Sequence, residues 1–197
     1  MIILFGLAGS GKGTQGKALS EIFGWRWLSV GEAIRQAGGY EDIINKGGLI
    51  PDEDVIRLMD KQIAKAEAEG FDVILDGYPR DKTQAEYLVD NMADKIDGAI
   101  ILDVPKEELL ERLALRGRDD DKERDSIERR FEIFEQNIYS ILPLLEGKNI
   151  PVERVNGVGA VNEVTARLVE VVKQFNPDAT EQLDDVNGGE IEKSYGE

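Results

Sequence analysis

The sequence contains neither cysteine nor histidine. Without cysteine, disulfide bonds and thiolate metal sites are excluded. Without histidine, a histidine base, a histidine-containing triad and a histidine metal ligand are excluded as well. The side chains that remain for catalysis are carboxylates, lysines and arginines. Any reaction carried out by this chain must therefore be one that charged groups can promote.

Basic residues and long apolar runs are also scarce. The chain has 24 lysines and arginines against 40 aspartates and glutamates, for a net charge of −16 at neutral pH. Such a charge argues against nonspecific nucleic-acid binding and against docking on anionic membranes. No apolar run is long enough to span a bilayer, and the apolar start, Met1 to Leu7, lacks the basic flank of a signal peptide. We expect a cytoplasmic monomer with no nucleic-acid or membrane partner.

The periodicity of the chain predicts its fold class. With 197 residues, 41% of them hydrophobic, the chain is long enough for one domain with a substantial core. Five short apolar segments alternate with helical patterns, and they cover Ile2–Phe5, Trp25–Leu28, Phe71–Leu75, Ala99–Leu102 and Val152–Val155. This alternation predicts an α/β fold of three layers, in which helices flank a five-stranded parallel sheet. Ligands are then expected at the carboxyl ends of the strands.

The helical segments and the end of the chain complete this outline. The clearest helical patterns lie over 82–92 and 161–175, and a shorter helix is predicted between 40 and 48. From residue 176 the apolar periodicity stops and acidic residues dominate. We therefore interpret 1–175 as the folded domain and 176–197 as a solvated, disordered tail.

A glycine-rich stretch, GLAGSGKGTQ over Gly6–Gln15, joins the first apolar segment to a helix. Glycine allows backbone N–H groups to converge on phosphate oxygens, and the helix N-terminus adds a partial positive charge at the same place. Lys12 adds a full charge that can follow a phosphate as it moves. The stretch predicts a P-loop that binds nucleotide phosphates through Gly9, Ser10, Gly11, Lys12, Gly13 and Thr14.

This loop departs from two common patterns. The general P-loop motif has serine or threonine directly after the lysine, whereas here Gly13 follows the lysine and Thr14 comes next. The glycines at 11, 13 and Gly16 also match the letters of a dinucleotide-binding fingerprint. That fingerprint should begin directly after the strand, and this one begins inside the helix start. We therefore favour a phosphate loop over a dinucleotide site.

Charged residues outside the loop are predicted at the same edge of the sheet. Asp76 follows the third apolar segment, where a carboxylate either orients magnesium and its waters beside phosphates or caps a turn. Arg112 and Arg116 share one helix face. Arg130 borders the apolar stripe of a later helix, so it faces inward. Structural ion pairs would explain each arginine alone, but their convergence near a phosphate loop favours phosphoryl transfer.

Two motifs in this sequence resemble the adenylate kinase family. Gly9–Gln15 is similar to that family's version of the P-loop, with glycine after the lysine, and Asp76–Arg80 is similar to its Asp-Gly-Phe-Pro-Arg signature, with Tyr for Phe. The resemblance runs from residue 1 to about 175 and implies magnesium-dependent, reversible phosphoryl transfer from ATP to AMP, giving two ADP. It also implies a helical monophosphate-binding subdomain over about 29–59 and a minimal lid over about 116–124.

The same resemblance implies roles on the ATP side of the site. Arg112 would lie over the adenine of ATP, and Gly159 would belong to a loop whose backbone contacts that adenine. Asp76 would act on magnesium through water, since in this family phosphates and water hold most of the metal's coordination sphere. The catalytic residues around the transferring phosphoryl group would be Lys12, Arg80, Arg116, Arg118 and Arg130.

The resemblance also implies an AMP site, in which Arg35 and Arg80 would hold the monophosphate. Gln84 would face the adenine of AMP, because its amide can pair with both the amino group and a ring nitrogen. Val30 stands where adenylate kinases often have threonine, so one contact to the base would be missing. The AMP-binding residues would be Val30, Arg35, Ile50, Gly77, Arg80 and Gln84.

Three other functions remain open at this point. A UMP/CMP kinase would share the short lid and a small apolar residue near Val30. A noncatalytic nucleotide sensor would bind ATP or AMP, but it would not need Lys12 together with the full set of arginines. A kinase for another small metabolite would share the P-loop but not the Asp76–Arg80 signature.

Overall fold

The computed structural model describes residues 1–40, 42–43, 50–117, 121 and 124–179. Within these ranges, five strands alternate with seven α-helices. The strands are β1 (Ile2–Phe5), β2 (Arg26–Ser29), β3 (Val73–Asp76), β4 (Gly98–Asp103) and β5 (Val152–Asn156). The helices are α1 (Lys12–Phe23), α2 (Val30–Ala37), α3 (Asp52–Ala68), α4 (Lys82–Met92), α5 (Lys106–Arg116), α6 (Arg124–Gly147) and α7 (Val161–Phe175).

The strands form one sheet in the order β2-β3-β1-β4-β5, and every neighbouring pair is parallel. The predicted α/β fold with a five-stranded parallel sheet is therefore confirmed. β1 lies at the centre of the sheet, and Leu4 is in register with Asp76 of β3. The glycine-rich loop leaves β1 directly after this pair, which places the start of the loop beside Asp76.

Both faces of the sheet are buried at its central strand β1, in agreement with the apolar sequence of that strand. Ile2 and Leu4 face a core formed with α1 and α7, whereas Ile3 and Phe5 face a core formed with α3, α4 and α6. Burying an aliphatic side chain of this size contributes about 1.5–3 kcal/mol. Because every β1 residue is buried, the strand reads as a continuous apolar run rather than as an alternating one.

A third, smaller cluster connects α5 and α6. Two leucines of α5 pack against two apolar side chains of α6, and Leu7 and Ala8 of the P-loop pack onto the same cluster. The four buried members are Leu109, Leu113, Ile127 and Phe131. This packing holds the two helices that carry the predicted catalytic arginines against the P-loop.

The packed part of the chain extends past the predicted boundary at residue 175. The Asn176 side chain donates to Asp97 Oδ2 at 3.3 Å, and Ala179 is only 1% exposed against the core shared by α1 and α7. The rest of the predicted tail, 180–197, lies outside the described residues, as does most of the predicted helix between 40 and 48. Among the described helices, none has the length and apolar character needed to cross a bilayer.

Candidate active site

A cavity of about 650 Å³ opens at the carboxyl ends of the strands, where the parallel sheet predicts a ligand. The P-loop, the start of α2, the loop after β3 and the arginine-bearing faces of α5 and α6 line it. Most of the predicted site residues are at its wall, namely Gly9, Ser10, Gly11, Lys12, Gly13, Thr14, Arg35, Ile50, Asp76, Gly77, Arg80, Arg112, Arg116, Arg130 and Gly159. Arg118 lies outside the described residues.

The P-loop has the backbone that its glycines allow. Gly9 and Gly11 have φ values of 87° and 96°, which residues with a side chain rarely adopt. A side chain at Gly9 would also meet the Leu109 carbonyl oxygen at 3.0 Å. The loop therefore lies directly on α5 and turns into the N-terminus of α1, where unpaired backbone N–H groups favour an anion.

Lys12 is held inside the loop by main-chain oxygens. Its Nζ donates to the carbonyl oxygens of Gly6, at 2.6 Å, and Leu7, at 3.0 Å. Desolvation lowers the pKa of Lys12 to about 8, although the nearby Asp76 carboxylate acts in the opposite direction. These hydrogen bonds place the ammonium at the phosphate cradle.

Arg112 connects the two loops that are predicted to bind ATP. Its Nη1 donates to the carbonyl oxygen of Ser10 in the P-loop at 3.3 Å, and its Nη2 donates to that of Gly157 at 3.0 Å. It also pairs with Glu108, one turn earlier on α5. The loop after β5, which includes Gly159, is in this way held beside the P-loop.

Two of the predicted catalytic arginines meet at Asp121. Arg116 donates to its two carboxylate oxygens at 2.6 and 2.8 Å, and Arg130 donates to Oδ1 at 2.7 Å. The Asp121 side chain is 2% exposed. Burial opposes its ionisation, but the hydrogen bonds from Arg116 and Arg130 outweigh that effect, so the pKa of Asp121 lies below its usual range. We call these three residues the arginine cluster.

Asp121 was not among the residues predicted from the sequence. A run of three aspartates, 119–121, directly follows Arg118, and this run was the available signal. In a region expected to bind phosphate, a buried carboxylate between two arginines stands where it can orient them. Sequence alone does not show that Asp121 is buried between the two arginines.

Arg35 and Arg80 converge on the other side of the cavity, at Gly31. A side chain at Gly31 would lie 3.5 Å from Arg35 Nη1 and 3.6 Å from Arg80 Nη2. Arg80 Nε donates to the carbonyl oxygen of Gly77 at 3.1 Å. Two guanidinium groups from different elements thus approach one position, an arrangement suited to a phosphate.

Two of the predicted AMP-binding residues, Val30 and Gln84, are buried beside the cavity. Val30 is fully buried. It packs directly beneath Gly77, where an added Cβ would lie 3.5 Å from Val30 Cγ1. Gln84 is 1% exposed, and its side-chain amide donates to Asp52 and Asp81. Neither side chain contributes to the cavity wall.

The glycine at 16, which gave the letters of a dinucleotide fingerprint, serves packing. A side chain at Gly16 would lie 2.4 Å from Cδ1 and Nε1 of Trp27, so the indole ring occupies that space. Lys17 lies over the same ring, with Nζ 4.6 Å from the ring centre. Trp27 also lines the cavity. The fingerprint letters therefore reflect contact between α1 and β2 and not a second nucleotide-binding loop.

Comparison with known proteins gives the family. A sequence profile described as adenylate kinase matches residues 4–150. The adenylate kinase of Mycolicibacterium smegmatis is 37% identical over 185 residues, which cover 88% of this chain and 99% of the relative. That of Maricaulis maris is 36% identical over 190 residues, covering 88% and 98%. That of Porphyromonas gingivalis is 33% identical over 192 residues, covering 88% and 96%.

The chain belongs to the adenylate kinase family. The predicted family, the predicted function of an adenylate kinase and the predicted enzyme class, a phosphotransferase acting on nucleoside monophosphates, are thereby confirmed. A UMP/CMP kinase or a noncatalytic sensor is not favoured. In this kinase, the P-loop, the loop after β3 and the arginine-bearing faces of α5 and α6 surround one cavity.

Proposed function

We propose that this kinase catalyses reversible phosphoryl transfer from ATP to AMP. A phosphate oxygen of AMP attacks the γ-phosphorus of ATP, and the bond from that phosphorus to the β–γ bridging oxygen breaks, so that two ADP molecules form. The observation that supports this reaction most directly is the single cavity with a P-loop on one side and the Arg35–Arg80 pair on the other. Two phosphate sites that face each other are what transfer between nucleotides needs.

On the ATP side, we propose that the backbone N–H groups of Gly9–Thr14 bind the β- and γ-phosphates. Lys12 stabilises negative charge on the phosphoryl group as it moves. Arg112 and the backbone near Gly159 form the adenine contact, since Arg112 already joins these two loops. The residues that bind ATP then come from the loop after β1, the start of α1, α5 and the loop after β5.

On the AMP side, we propose that Arg35 and Arg80 hold the monophosphate between them. Ile50 and Gly77 form the adjacent wall of the cavity. Val30 supports this wall from beneath Gly77. Gln84 lies beside this wall, where its amide bonds to Asp52, Asp81 and the Arg80 N–H, and its assignment to the adenine of AMP stays a prediction from the sequence.

The transferring phosphoryl group is proposed to lie next to the arginine cluster. Arg116 and Arg130 neutralise its equatorial oxygens, which is the main contribution that a protein can make to a loose phosphoryl-transfer transition state. Asp121 keeps both guanidinium groups aligned before substrate arrives. A part for Arg118 in the same clamp stays a prediction from the sequence.

Magnesium fits this site as a metal bound mainly by phosphates and water. Asp76 lines the cavity beside the P-loop and is 7% exposed. Among the described residues, no three acidic side chains are grouped so that they could hold a metal ion without substrate. Asp76 would therefore orient water molecules on the ion, and the ion, when bound, would neutralise phosphate charge.

One assay tests the reaction. The protein is incubated with ATP and magnesium and separately with AMP, CMP, UMP or GMP, and ADP formation is followed. We expect AMP to be the preferred acceptor. Preferred phosphorylation of CMP or UMP would contradict the proposed substrate, and ATP binding without turnover of any monophosphate would contradict catalysis.

Assembly and location follow as further proposals. We propose that the protein acts as a monomer, with the P-loop, the Arg35–Arg80 pair and the arginine cluster of one chain around the cavity. Size-exclusion chromatography with light scattering tests this, and an activity that requires a dimer would contradict it. A cytoplasmic location stays a prediction from the sequence.

A further inference from the structure

The short loop between β5 and α7 is held by two arginines from different helices. Arg167 of α7 donates from Nη1 to the carbonyl oxygens of Asn156 and Val158, both at 2.8 Å. Arg112 of α5 donates from Nη2 to the carbonyl oxygen of Gly157, which lies between them in the chain, at 3.0 Å. Three consecutive carbonyl oxygens are therefore bound by guanidinium groups, which limits the directions in which the loop backbone can turn.

The N–H groups of this loop are used in the same way, with one exception. Three of them donate to oxygen atoms of the protein, namely Gly157 to the Asp103 carbonyl at 2.7 Å, Val158 to Asn156 Oδ1 at 2.9 Å and Ala160 to Glu163 Oε2 at 3.0 Å. No described residue bonds to the N–H or to the carbonyl oxygen of Gly159. Gly159 lines the cavity, so its two polar groups are the ones that this loop can offer to a ligand.

The two peptide groups that flank Gly159 are fixed by α7. A peptide group is planar, so a hydrogen bond at one end of it also sets the direction of the group at the other end. Arg167 binds the Val158 carbonyl oxygen and thereby orients the Gly159 N–H. Glu163 binds the Ala160 N–H and thereby orients the Gly159 carbonyl oxygen. Without these bonds both groups could rotate, because glycine allows conformations that other residues rarely adopt, such as the φ of 120° at Gly159.

The same two side chains lie close against Gly159 itself. A Cβ added at Gly159 would be 2.5 Å from Glu163 Oε2 and 3.6 Å from Arg167 Nη2. The two residues are four positions apart in one helix, so they share a face of α7. This face therefore supports the part of the loop that reaches the cavity.

We propose that Arg167 and Glu163 are positioning residues that determine which base the kinase accepts in its phosphoryl donor. They hold the Gly159 carbonyl oxygen and N–H in one orientation toward the base. Adenine offers an amino group, a donor, at the position where guanine has a carbonyl oxygen, an acceptor. A fixed carbonyl oxygen of Gly159 therefore accepts from adenine and meets an oxygen atom of guanine. This inference rests on the proposed function, since it takes the backbone near Gly159 to contact the adenine of ATP.

These contacts predict a loss of base recognition, not of phosphate recognition. ATP, GTP and inorganic tripolyphosphate share the phosphates that the P-loop would bind, and neither Arg167 nor Glu163 lines the cavity. Removing either side chain should therefore weaken the binding of ATP and leave tripolyphosphate, which has no base, unaffected. A mere change in net charge would instead act on all three anions.

The test uses Arg167→Ala and Glu163→Ala in the full-length protein. We expect the dissociation constant of ATP, measured by calorimetry, to rise about three- to tenfold in each variant, as loss of a hydrogen bond to a charged group implies. The preference for ATP, taken as the dissociation constant of GTP divided by that of ATP, should fall by a similar factor. KM for ATP should rise while kcat, KM for AMP and the dissociation constant of tripolyphosphate stay unchanged.

Three variants separate positioning from general effects. Glu163→Gln keeps an oxygen atom that can accept from the Ala160 N–H, so it should restore the preference for ATP. Arg154→Ala removes an exposed arginine of β5, which pairs with Asp103 and makes none of the described hydrogen bonds to the loop. Glu170→Ala removes an exposed carboxylate from α7. The last two should keep the wild-type preference for ATP.

The two test residues are exposed, so their variants should fold. If Arg167→Ala does not fold, Arg167→Lys replaces it, because lysine keeps the charge but not the planar pair of N–H groups on Nη1. Circular dichroism measures folding of each variant.

Any of four results would overturn the proposal. They are an unchanged preference for ATP in either alanine variant of the test residues, an equal loss of affinity for tripolyphosphate, an equal loss of preference in Arg154→Ala or Glu170→Ala, and no recovery in Glu163→Gln. Failure of the wild-type protein to phosphorylate AMP would instead contradict the proposed function. The two failures are distinguishable because binding of ATP, GTP and tripolyphosphate is measured without turnover.

Discussion

The P-loop and the arginine cluster are proposed to hold the same phosphates, but they are built in opposite ways. The P-loop uses main-chain groups that lie within ten consecutive residues, with glycine φ values of 87° and 96° at Gly9 and Gly11. The arginine cluster uses side chains of Arg116, Asp121 and Arg130, which come from the end of α5, the residues between the helices and α6. The P-loop is therefore formed by residues that are adjacent in the chain, whereas the arginine cluster is formed by residues from three separate segments.

The difference determines what can disturb each region. A main-chain cradle depends on backbone conformation, so changes in residue size and φ affect it most. A cluster of charged side chains depends on a buried carboxylate that stays ionised because two arginines donate to it. The following experiments test this division, from the largest expected effect to the smallest.

The largest effect is expected for Lys12→Met, which removes the only full charge inside the P-loop of the proposed site. The rate constant kcat should fall on the order of 10²–10³-fold, as for loss of one group that stabilises transition-state charge. Folding should be retained, because the loop backbone is left intact. Steady-state kinetics and circular dichroism measure the two effects. Lys61→Met, on the exposed face of α3 away from the cavity, is the control, and near-normal kcat in Lys12→Met would contradict the assignment.

The next largest effect is expected for Asp121→Ala, which leaves Arg116 and Arg130 without their shared carboxylate. We expect kcat to fall about 10–100-fold, since hydrogen bonds to charged groups are worth about 1.5–3 kcal/mol. Added salt should change kcat of this variant more than that of the wild type. Asp125→Ala, on the exposed first turn of α6, is the control. A kcat within twofold of wild type would show that the arginines are oriented by other contacts.

A smaller effect is expected from raising the pH. Desolvation lowers the pKa of Lys12 to about 8, so the side chain loses its charge as the pH rises through that value. Phosphates favour the charged form, and ATP binding should therefore take up a proton. Affinity for ATP should fall roughly tenfold between pH 7.5 and 9.5. Calorimetry in buffers of different ionisation enthalpy measures the proton uptake, and Lys12→Met should lack it.

The smallest effect on activity is expected for Gly16→Ala, which tests whether packing against Trp27 supports the P-loop helix. The added methyl group would lie 2.4 Å from the indole, so we expect a loss of about 1–3 kcal/mol in the free energy of unfolding. Gly13→Ala is the control, because its methyl group would meet the same ring at 3.6 Å, an ordinary contact.

The double variant Gly16→Ala/Trp27→Leu makes this test specific. A smaller side chain at Trp27 leaves room for the methyl group, so the double variant should lose less than the sum of the two single losses. Urea denaturation of all four proteins gives the coupling. Additive losses would show that Gly16 and Trp27 do not constrain each other.

Much of the fold could be read from periodicity. The helices predicted over 82–92 and 161–175 have those bounds in the structure, and β1 covers the predicted Ile2–Phe5. The buried faces of these segments have a clear apolar pattern, and such a pattern can be read from the local sequence. Strand ends were less certain. β3 begins two residues later than predicted, at Val73, and includes Asp76, because pairing with β1 continues through Leu4.

The end of the folded region could not be read in the same way. Asn176 to Ala179 have a polar and acidic composition, yet Asn176 bonds to Asp97 and Ala179 is buried. A short segment with one small apolar residue has no periodicity, so only its contact with a distant part of the chain reveals its order.

By itself the sequence determined the P-loop and the family signature, because both depend on residues that are adjacent in the chain. Gly9, Gly11 and Lys12 act through backbone geometry and a charge at a helix start, and such local effects need no knowledge of distant contacts.

Only the tertiary structure decided the orientation of side chains around the loop. Asp121 lies between two arginines. The Gln84 amide donates to Asp52 and Asp81 and accepts from the Arg80 N–H. The reason is physical. A side chain with several possible partners takes those that packing brings within hydrogen-bond distance, and residues 32 positions apart, such as Asp52 and Gln84, meet only when the helices that carry them are in place.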